Sequence, residues 1–384
     1  MNIVIIQQSP DIGGAETFTY QLTSEFLKRN NTIYFFTNKG KFFTYMQTLP
    51  VKLYEIPKIL DVCGNVRGLI KSLFYLPFLS YFYYHAFSFL RDKKQIDVIL
   101  ASGFSEKLLV TFLASFLGIP IVWTEYAPLS PIFQRNFFLP KLFYLLLKNF
   151  PKVIIVPTPH TEKSLIDLHV DKDKLVVIPC GTKRTKQTKK NNTLLQKLGL
   201  EKHIVIGNVS RLAREKGQEY LIRAMEKVIR EVPNVSLLIL GQGPDKAYFR
   251  ALTKELHLTP HVHLLGFKEN LESFYNIMDI FVFPTVWSLE GFGLVLIEAM
   301  AHRLPVVATD IGPVPHIVED RRVGLLVPPR NEKALANAII KLAKDEKMRI
   351  QMGKEGHKRV REFYDLTETS ASYLRVLYNA AREK

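Results

Sequence analysis

The sequence predicts an α/β protein built from two doubly wound, parallel-sheet domains, and three observations carry that expectation. Short apolar runs alternate with helical segments along the chain, which is how a parallel sheet with crossover helices reads. The alternation stops once, at the polar, lysine-rich stretch 182–192, and then restarts. The chain has 384 residues, more than one ordinary core accommodates.

In the first half the strands are expected at residues 3–6, 32–37, 97–101, 119–124, 153–157 and 175–179. After the polar break they are expected at 204–208, 236–240, 263–265, 280–283, 306–308 and 324–327, and a last helix at about 366–381. This divides the chain into a domain over 1–182, a linker over 183–202, a second domain over 203–363, and a terminal helix over 364–384 that packs back across the domain junction. Both halves are Rossmann-like. Ligands of such folds sit at the carboxyl ends of the strands, so two facing halves are expected to enclose a cleft.

Hydrophobic content of 47% and charged content of 23% describe a globular protein and exclude disorder. Cys63 and Cys180 have neither metal-ligand spacing nor a disulfide framework, which suits a reducing compartment. The chain opens directly on a buried strand, without the basic region, apolar stretch and cleavage site of a secretory signal, so a cytoplasmic location is expected.

A net charge of +16 calls for an anionic partner. Residues 1–190 hold 24 bases against 13 acids and 30 of the 44 aromatics. These aromatics run in long apolar segments, whereas a nucleic-acid platform alternates them along strands. Nucleic acid is therefore excluded and an anionic membrane surface favoured. Residues 73–90 are 18 positions without Asp, Glu, Lys or Arg, the minimum for a membrane span. Pro77, the tyrosines, His85 and a place just before a strand make them instead a crossover helix with one exposed aromatic face. Residues 131–150 interleave basic and aromatic side chains, as an interfacial segment does.

The chemistry concentrates in the second half. In 284–302, Glu290 and Glu298 flank a segment that begins Gly291-Phe292-Gly293-Leu294 and then turns apolar, which reads as strand, glycine turn and helix start. At about 1.5 Å and 100° per residue on one helix, Glu298 would lie roughly 12 Å below Glu290 and about 80° round. Amides of Gly291, Phe292 and Gly293 would face an anion over the helix N-terminus, which suggests a diphosphate between two hydroxyl-binding carboxylates. Arg211 and Lys216, five apart in a loop after a strand, suit the same diphosphate, arginine as a planar fork and lysine as a point charge. Gly241 and Gly243 end another strand and permit close backbone approach. Gly13, Gly14 and Glu16 follow the first strand without completing a dinucleotide fingerprint, and a turn offering amides to phosphate or sugar is expected there, with Gly13 and Glu16 as sugar or acceptor contacts. Asp171-Lys-Asp173 lies in a polar turn, and His261 and His263 form no cluster, so no metal is expected.

In order, Gly13-Gly14-Ala15-Glu16, Ser210-Arg211-Leu212 with Lys216-Gly217, Gly241-Gln-Gly243, Glu290-Gly-Phe-Gly-Leu294 with Glu298-Ala-Met-Ala301, Leu304-Pro-Val-Val307 and Gly324-Leu-Leu-Val-Pro328 resemble the retaining glycosyltransferases of family 4, which have the GT-B fold. The resemblance covers nearly the whole chain. It implies that Arg211 and Lys216 grip the donor diphosphate, Glu298 the ribose diol, and Glu290 with the following amides the transferred sugar, while Gly14 lies against the phosphates from the other domain. It also implies a nucleotide-diphosphate-sugar donor and no separate cofactor. The basic charge and aromatics of residues 1–190 add the expectation of a glycan or lipid-linked acceptor at the cytoplasmic face of a membrane. The chain departs from the family pattern in two places. Glu125 and Tyr126 stand where many relatives have a sugar-contacting histidine, and His316 stands where a glutamate is usual. A sugar-nucleotide epimerase of the same fold and an inactive nucleotide-sugar-binding scaffold are the alternative functions.

Overall fold

A computed structural model describes residues 1–62, 66–93, 95–133, 138–185 and 191–382. Its first sheet contains β1 (Asn2–Ile6), β2 (Thr32–Asn38), β3 (Lys52–Ile56), β4 (Val98–Ala101), β5 (Ile121–Thr124), β6 (Val153–Val156) and β7 (Leu175–Val177), in the order β3-β2-β1-β4-β5-β6-β7. The second contains β8 (Ile204–Val209), β9 (Val235–Leu240), β10 (Val262–Gly266), β11 (Ile280–Phe283), β12 (Val306–Thr309) and β13 (Gly324–Val327), in the order β10-β9-β8-β11-β12-β13. Every ladder is parallel. The winding reverses between β1 and β4 and again between β8 and β11, and at such a switch point neighbouring loops diverge and leave a crevice.

The central strands are apolar on both faces because helices cover both. Val4 and Ile6 share a core with Leu79, Tyr83 and Trp123, while the alternate residues Ile3 and Ile5 point the other way. β3 was not expected from the sequence. It is an edge strand with exposed Lys52 and Glu55, and those charges interrupt the apolar run by which the others are read.

One compact unit comprises Met1–Cys180 with Leu366–Lys384, the other Gly181–Asp365. The terminal helix Leu366–Arg382 is therefore a layer of the first unit: Tyr373 meets Phe18 of helix Gly14–Lys28 at 6.1 Å between ring centroids, and the Thr369 hydroxyl donates to the Pro179 carbonyl at 3.2 Å. The expected linker 183–202 is also revised. From residue 191 it is structured, with Asn191 capping helix Asn192–Leu198 and Gly199 ending it at φ 67°; residues 186–190 lie outside the described residues. With the units drawn this way the charge asymmetry disappears. The first holds 22 bases and 15 acids, +7, and the second 30 and 21, +9, because the lysine-rich stretch belongs to the second. The 30 aromatics remain in the first.

Candidate active site

In the second unit two loops leave adjacent strands at the switch point, residues 210–217 after β8 and 284–293 after β11. Polar side chains not named among the candidate ligands fasten them. Asn208 Nδ2 donates to the Val282 carbonyl at 2.9 Å, Ser210 Oγ donates to Asn208 Oδ1 at 3.1 Å, and Gln218 Nε2 donates to Ser210 Oγ at 2.7 Å and to the Arg211 carbonyl at 2.8 Å. The amide of Val286 and the hydroxyl of Thr285 both donate to the Glu215 carbonyl, at 3.0 and 3.2 Å. Gly217 closes the first loop at φ 74°, and a Cβ there would stand 1.8 Å from the Pro284 carbonyl oxygen.

Gly217→Ala is therefore expected to cost more than the ~1–2 kcal/mol of a left-handed backbone alone. Gly266→Ala is the control, since Gly266 has φ +73° with nothing within 4 Å of a Cβ. Equal shifts of the urea midpoint in the two variants would show that the loops yield without strain.

The same fastening brings together Lys216 and Glu290. Lys216 Nζ lies 2.7 Å from Glu290 Oε2, the two side chains are only 14% and 11% exposed, and the ammonium sits 5.1 Å from the centre of the Trp287 ring. Arg211 does not join them. Its guanidinium is paired with Glu215 four residues on, and its side chain is 58% exposed. An exposed pair of this kind contributes ~0–1 kcal/mol, so Glu215 holds the arginine only weakly.

Glu290 is not on a helix with Glu298. Gly293, at φ +90°, caps helix Leu294–Ala301, so Glu290 lies in the preceding loop and the one-helix spacing does not apply. Among the described residues, the amides of Gly291, Phe292 and Gly293 have no acceptor. The Phe292 side chain is buried against Tyr364, at 5.8 Å between ring centroids, and Leu294 opens the helix half-buried. Glu298 Oε2 accepts from the Tyr275 hydroxyl at 2.9 Å, and burial raises its carboxyl above the ordinary range. Tyr275, absent from every motif, also stacks on His302 at 5.0 Å. A cavity of 290 Å³ lined by Asp279, His302, Arg303 and Arg349 adjoins this site through Tyr275 and His302.

Several expected ligands have structural duties. A Cβ at Gly241 would be 2.0 Å from the Ser210 carbonyl oxygen and one at Gly243 2.2 Å from that of Leu212, so these glycines seat the Arg211 loop. The His316 side chain is exposed, and its carbonyl accepts from Arg359 Nη2 at 2.7 Å; the neighbouring Gly312 packs on Ser288, beside the Glu290 loop.

In the first unit Gly13 and Gly14 are exposed at the N-terminus of helix Gly14–Lys28. Glu16, expected to face sugar or acceptor, caps that helix, with Oε2 accepting from the Gly13 amide at 2.9 Å and Oε1 from Gln7 Nε2 at 3.2 Å. Glu125 also turns inward. It is buried in an ion pair with Lys107 at 2.8 Å, which removes it from the surface, and burial raises its carboxyl. Tyr126 is half-buried, its hydroxyl 3.2 Å from Thr19 Oγ1, and burial pushes that phenol up to about 12. Asp171 caps a short turn by accepting from the Asp173 amide at 3.1 Å, and no metal-binding group of three His, Cys, Asp or Glu occurs among the described residues.

Models of two known families match this chain. Glycosyltransferase Family 4 matches residues 12–185 and glycosyl transferases group 1 matches residues 190–359. The capsular polysaccharide biosynthesis glycosyltransferase CapM of Staphylococcus aureus is 33% identical over 219 residues, 54% of this chain and 56% of that protein. An uncharacterized glycosyltransferase of Methanocaldococcus jannaschii is 30% identical over 281 residues, 63% of this chain and 68% of its own. Among solved structures, Anabaena HepE in complex with UDP and glucose superposes with a TM-score of 0.82 at 22% identity, covering 98% of this chain and 99% of that one. The likeness to HepE shows the fold, two Rossmann-like domains.

Proposed function

This chain belongs to the group 1 glycosyltransferases of family 4, and we propose that it moves a sugar from a nucleotide-diphosphate donor to an acceptor hydroxyl with retention of configuration. The observation that carries this reading is the enclosed Lys216–Glu290 pair beside the free amides of Gly291, Phe292 and Gly293. In the reaction the bond from the sugar's anomeric carbon to the phosphate oxygen breaks, and its electron pair leaves with the nucleotide diphosphate. Lys216 and Arg211 neutralise that charge, in a setting where fixed charges cost no reorganisation. Glu290 orients the lysine from one side and meets the cationic sugar from the other, and Glu298 takes the ribose diol. The acceptor oxygen bonds on the face the phosphate has left, and the departing phosphate oxygen takes the acceptor proton. Positioning supplies the rest of the acceleration.

The acceptor is proposed to be a lipid-linked or membrane-proximal glycan of cell-surface polysaccharide or glycolipid assembly, met by the first domain at the cytoplasmic face of the membrane. The capsular polysaccharide biosynthesis in which CapM acts and the aromatic content of the first unit support this. Thermal unfolding against UDP-, GDP- and ADP-sugars tests the donor, because a ligand at a hundredfold excess over its Kd stabilises by about 2.7 kcal/mol. Release of nucleotide diphosphate only with acceptor present separates a transferase from an epimerase, and no donor shift at all would leave a scaffold.

The transfer is proposed to need no metal ion, since the proposed roles of Lys216 and Arg211 supply the positive charge that a cation would otherwise bring to the diphosphate. Activity is expected to survive excess chelator. Loss on chelation, restored by Mn²⁺ or Mg²⁺, would show that the diphosphate is held otherwise.

A further inference from the structure

The first unit carries an apolar face that its own core does not use. Helices Val66–Asp92, Phe104–Phe116 and Leu139–Leu147 lie side by side on the sheet, each neighbouring the next, with the Tyr84 and Phe116 rings 6.4 Å apart across the first junction. Their inner residues, such as Leu79, Tyr83, Phe87, Val110 and Tyr144, are buried. Their outer residues are also apolar: Phe74 is 79% exposed, Tyr81 66%, Phe112 61%, Phe116 72%, Leu142 52% and Leu146 61%. Of the 21 large hydrophobics exposed among the described residues, 13 lie on these three helices, so this is a patch and not the scatter normal on any surface.

The charges on the same helices have one sign. Exposed bases are Arg67, Lys71, Arg91 and Lys141. The one exposed acid among the described residues of these helices, Asp92, is paired with Arg91 at 3.0 Å. Glu106 is turned inward, accepting from the Gln8 amide at 2.9 Å, and Lys107 is buried, so helix Phe104–Phe116 shows no charge at all. A face that is aromatic, basic and without a free acid complements an anionic interface. A second copy is a poor occupant, because the same bases would meet without acids to pair them. No helix of the described residues is long and apolar enough to cross a membrane, and the inner side of Val66–Asp92 is committed to the core. The face can lie on a bilayer but not in it as a span.

We infer that the joined outer surface of these three helices is the membrane-docking face of the protein, taking an anionic phospholipid interface, with the aromatics inserted and Arg67, Lys71 and Lys141 on the headgroups. This rests on the reading above of a membrane-proximal acceptor and specifies where the protein meets that membrane. It also moves the attachment away from the net charge of a domain, which does not distinguish the two units, to a local arrangement. Residues 134–137, part of the stretch first read as interfacial, lie outside the described residues and are not needed for it.

The test is sedimentation of the full chain with vesicles of phosphatidylcholine alone and of an equal mixture with phosphatidylglycerol. Wild type is expected on the mixed vesicles at low salt, with uptake that falls but persists as salt rises. Lys71→Glu with Lys141→Glu is expected to weaken low-salt partition at least about tenfold. Phe74→Ser with Phe116→Ser is expected to weaken the salt-resistant part at least about tenfold. All four positions are exposed, so thermal unfolding and the shift given by the nucleotide-sugar that binds wild type should be unchanged. A donor shift without vesicle uptake would overturn the docking face and leave the transferase reading intact; uptake without any donor shift would do the reverse. Concentration-dependent dimers that the phenylalanine variant dissolves, with no uptake by wild type, would overturn the inference in favour of a copy-to-copy interface.

Discussion

Lys216→Ala is expected to lower turnover by about 10² or more in a protein that still folds, the scale on which a preorganised charge partner of the developing anion contributes. The structure sharpens the reason. Lys216 is little exposed and 2.7 Å from Glu290, so its removal leaves that carboxylate enclosed, without its cation and close to where the diphosphate charge is proposed to develop. The variant thus loses an attraction and gains a repulsion. Arg211 is exposed and already engaged by Glu215, and Arg211→Ala is expected to have the smaller effect of the two. Initial rates under saturating donor decide it. Near-normal turnover of a folded Lys216→Ala would remove the lysine from the mechanism.

The second large effect separates the two glutamates. Glu290→Gln is expected to slow transfer by about 10² with little change in donor affinity, because its partner charge acts as the sugar departs. Glu298→Gln is expected to weaken donor binding by about 1.5–3 kcal/mol, the range of a hydrogen bond to a charged group, with turnover at saturation nearly kept. Donor titration combined with single-turnover rates resolves the two. Combining Lys216→Ala with Glu290→Gln should cost less than the sum of the separate losses, since each change removes the same ion pair. Additive losses would mean that the pair does not act as a unit. Equal and small effects at both glutamates would leave the 284–302 segment a structural feature.

Much of the fold was legible in the sequence. The buried strands of a sheet covered on both faces are short, continuous apolar runs, so Ile3, Val4, Ile5 and Ile6 or Phe281, Val282 and Phe283 announce themselves locally. β3 did not, because an edge strand with one neighbour carries Lys52 and Glu55. The domain limits were legible only within some residues. By composition the lysine-rich stretch reads as a linker between domains, whereas the compact units divide at Gly181 and again before Leu366.

At the candidate site, by itself the sequence determined which residues are equipped for diphosphate chemistry: a lysine and an arginine after one strand, and two glutamates around glycines after another. Those statements need only side-chain chemistry and short-range spacing. Tertiary structure alone decided which of them meet. Lys216 and Glu290 are 74 positions apart and become partners only because β11 pairs with β8 at the switch point, and strand order is not written in any local pattern. It also decided that Glu290 precedes its helix, since the left-handed Gly293 delays the first turn, and that Glu125 and Glu16 are occupied by Lys107 and a helix end. A side chain's identity states what it can bind, but its orientation depends on what the fold packs beside it, and for a carboxylate the nearest fixed cation or amide determines whether it remains available to a ligand.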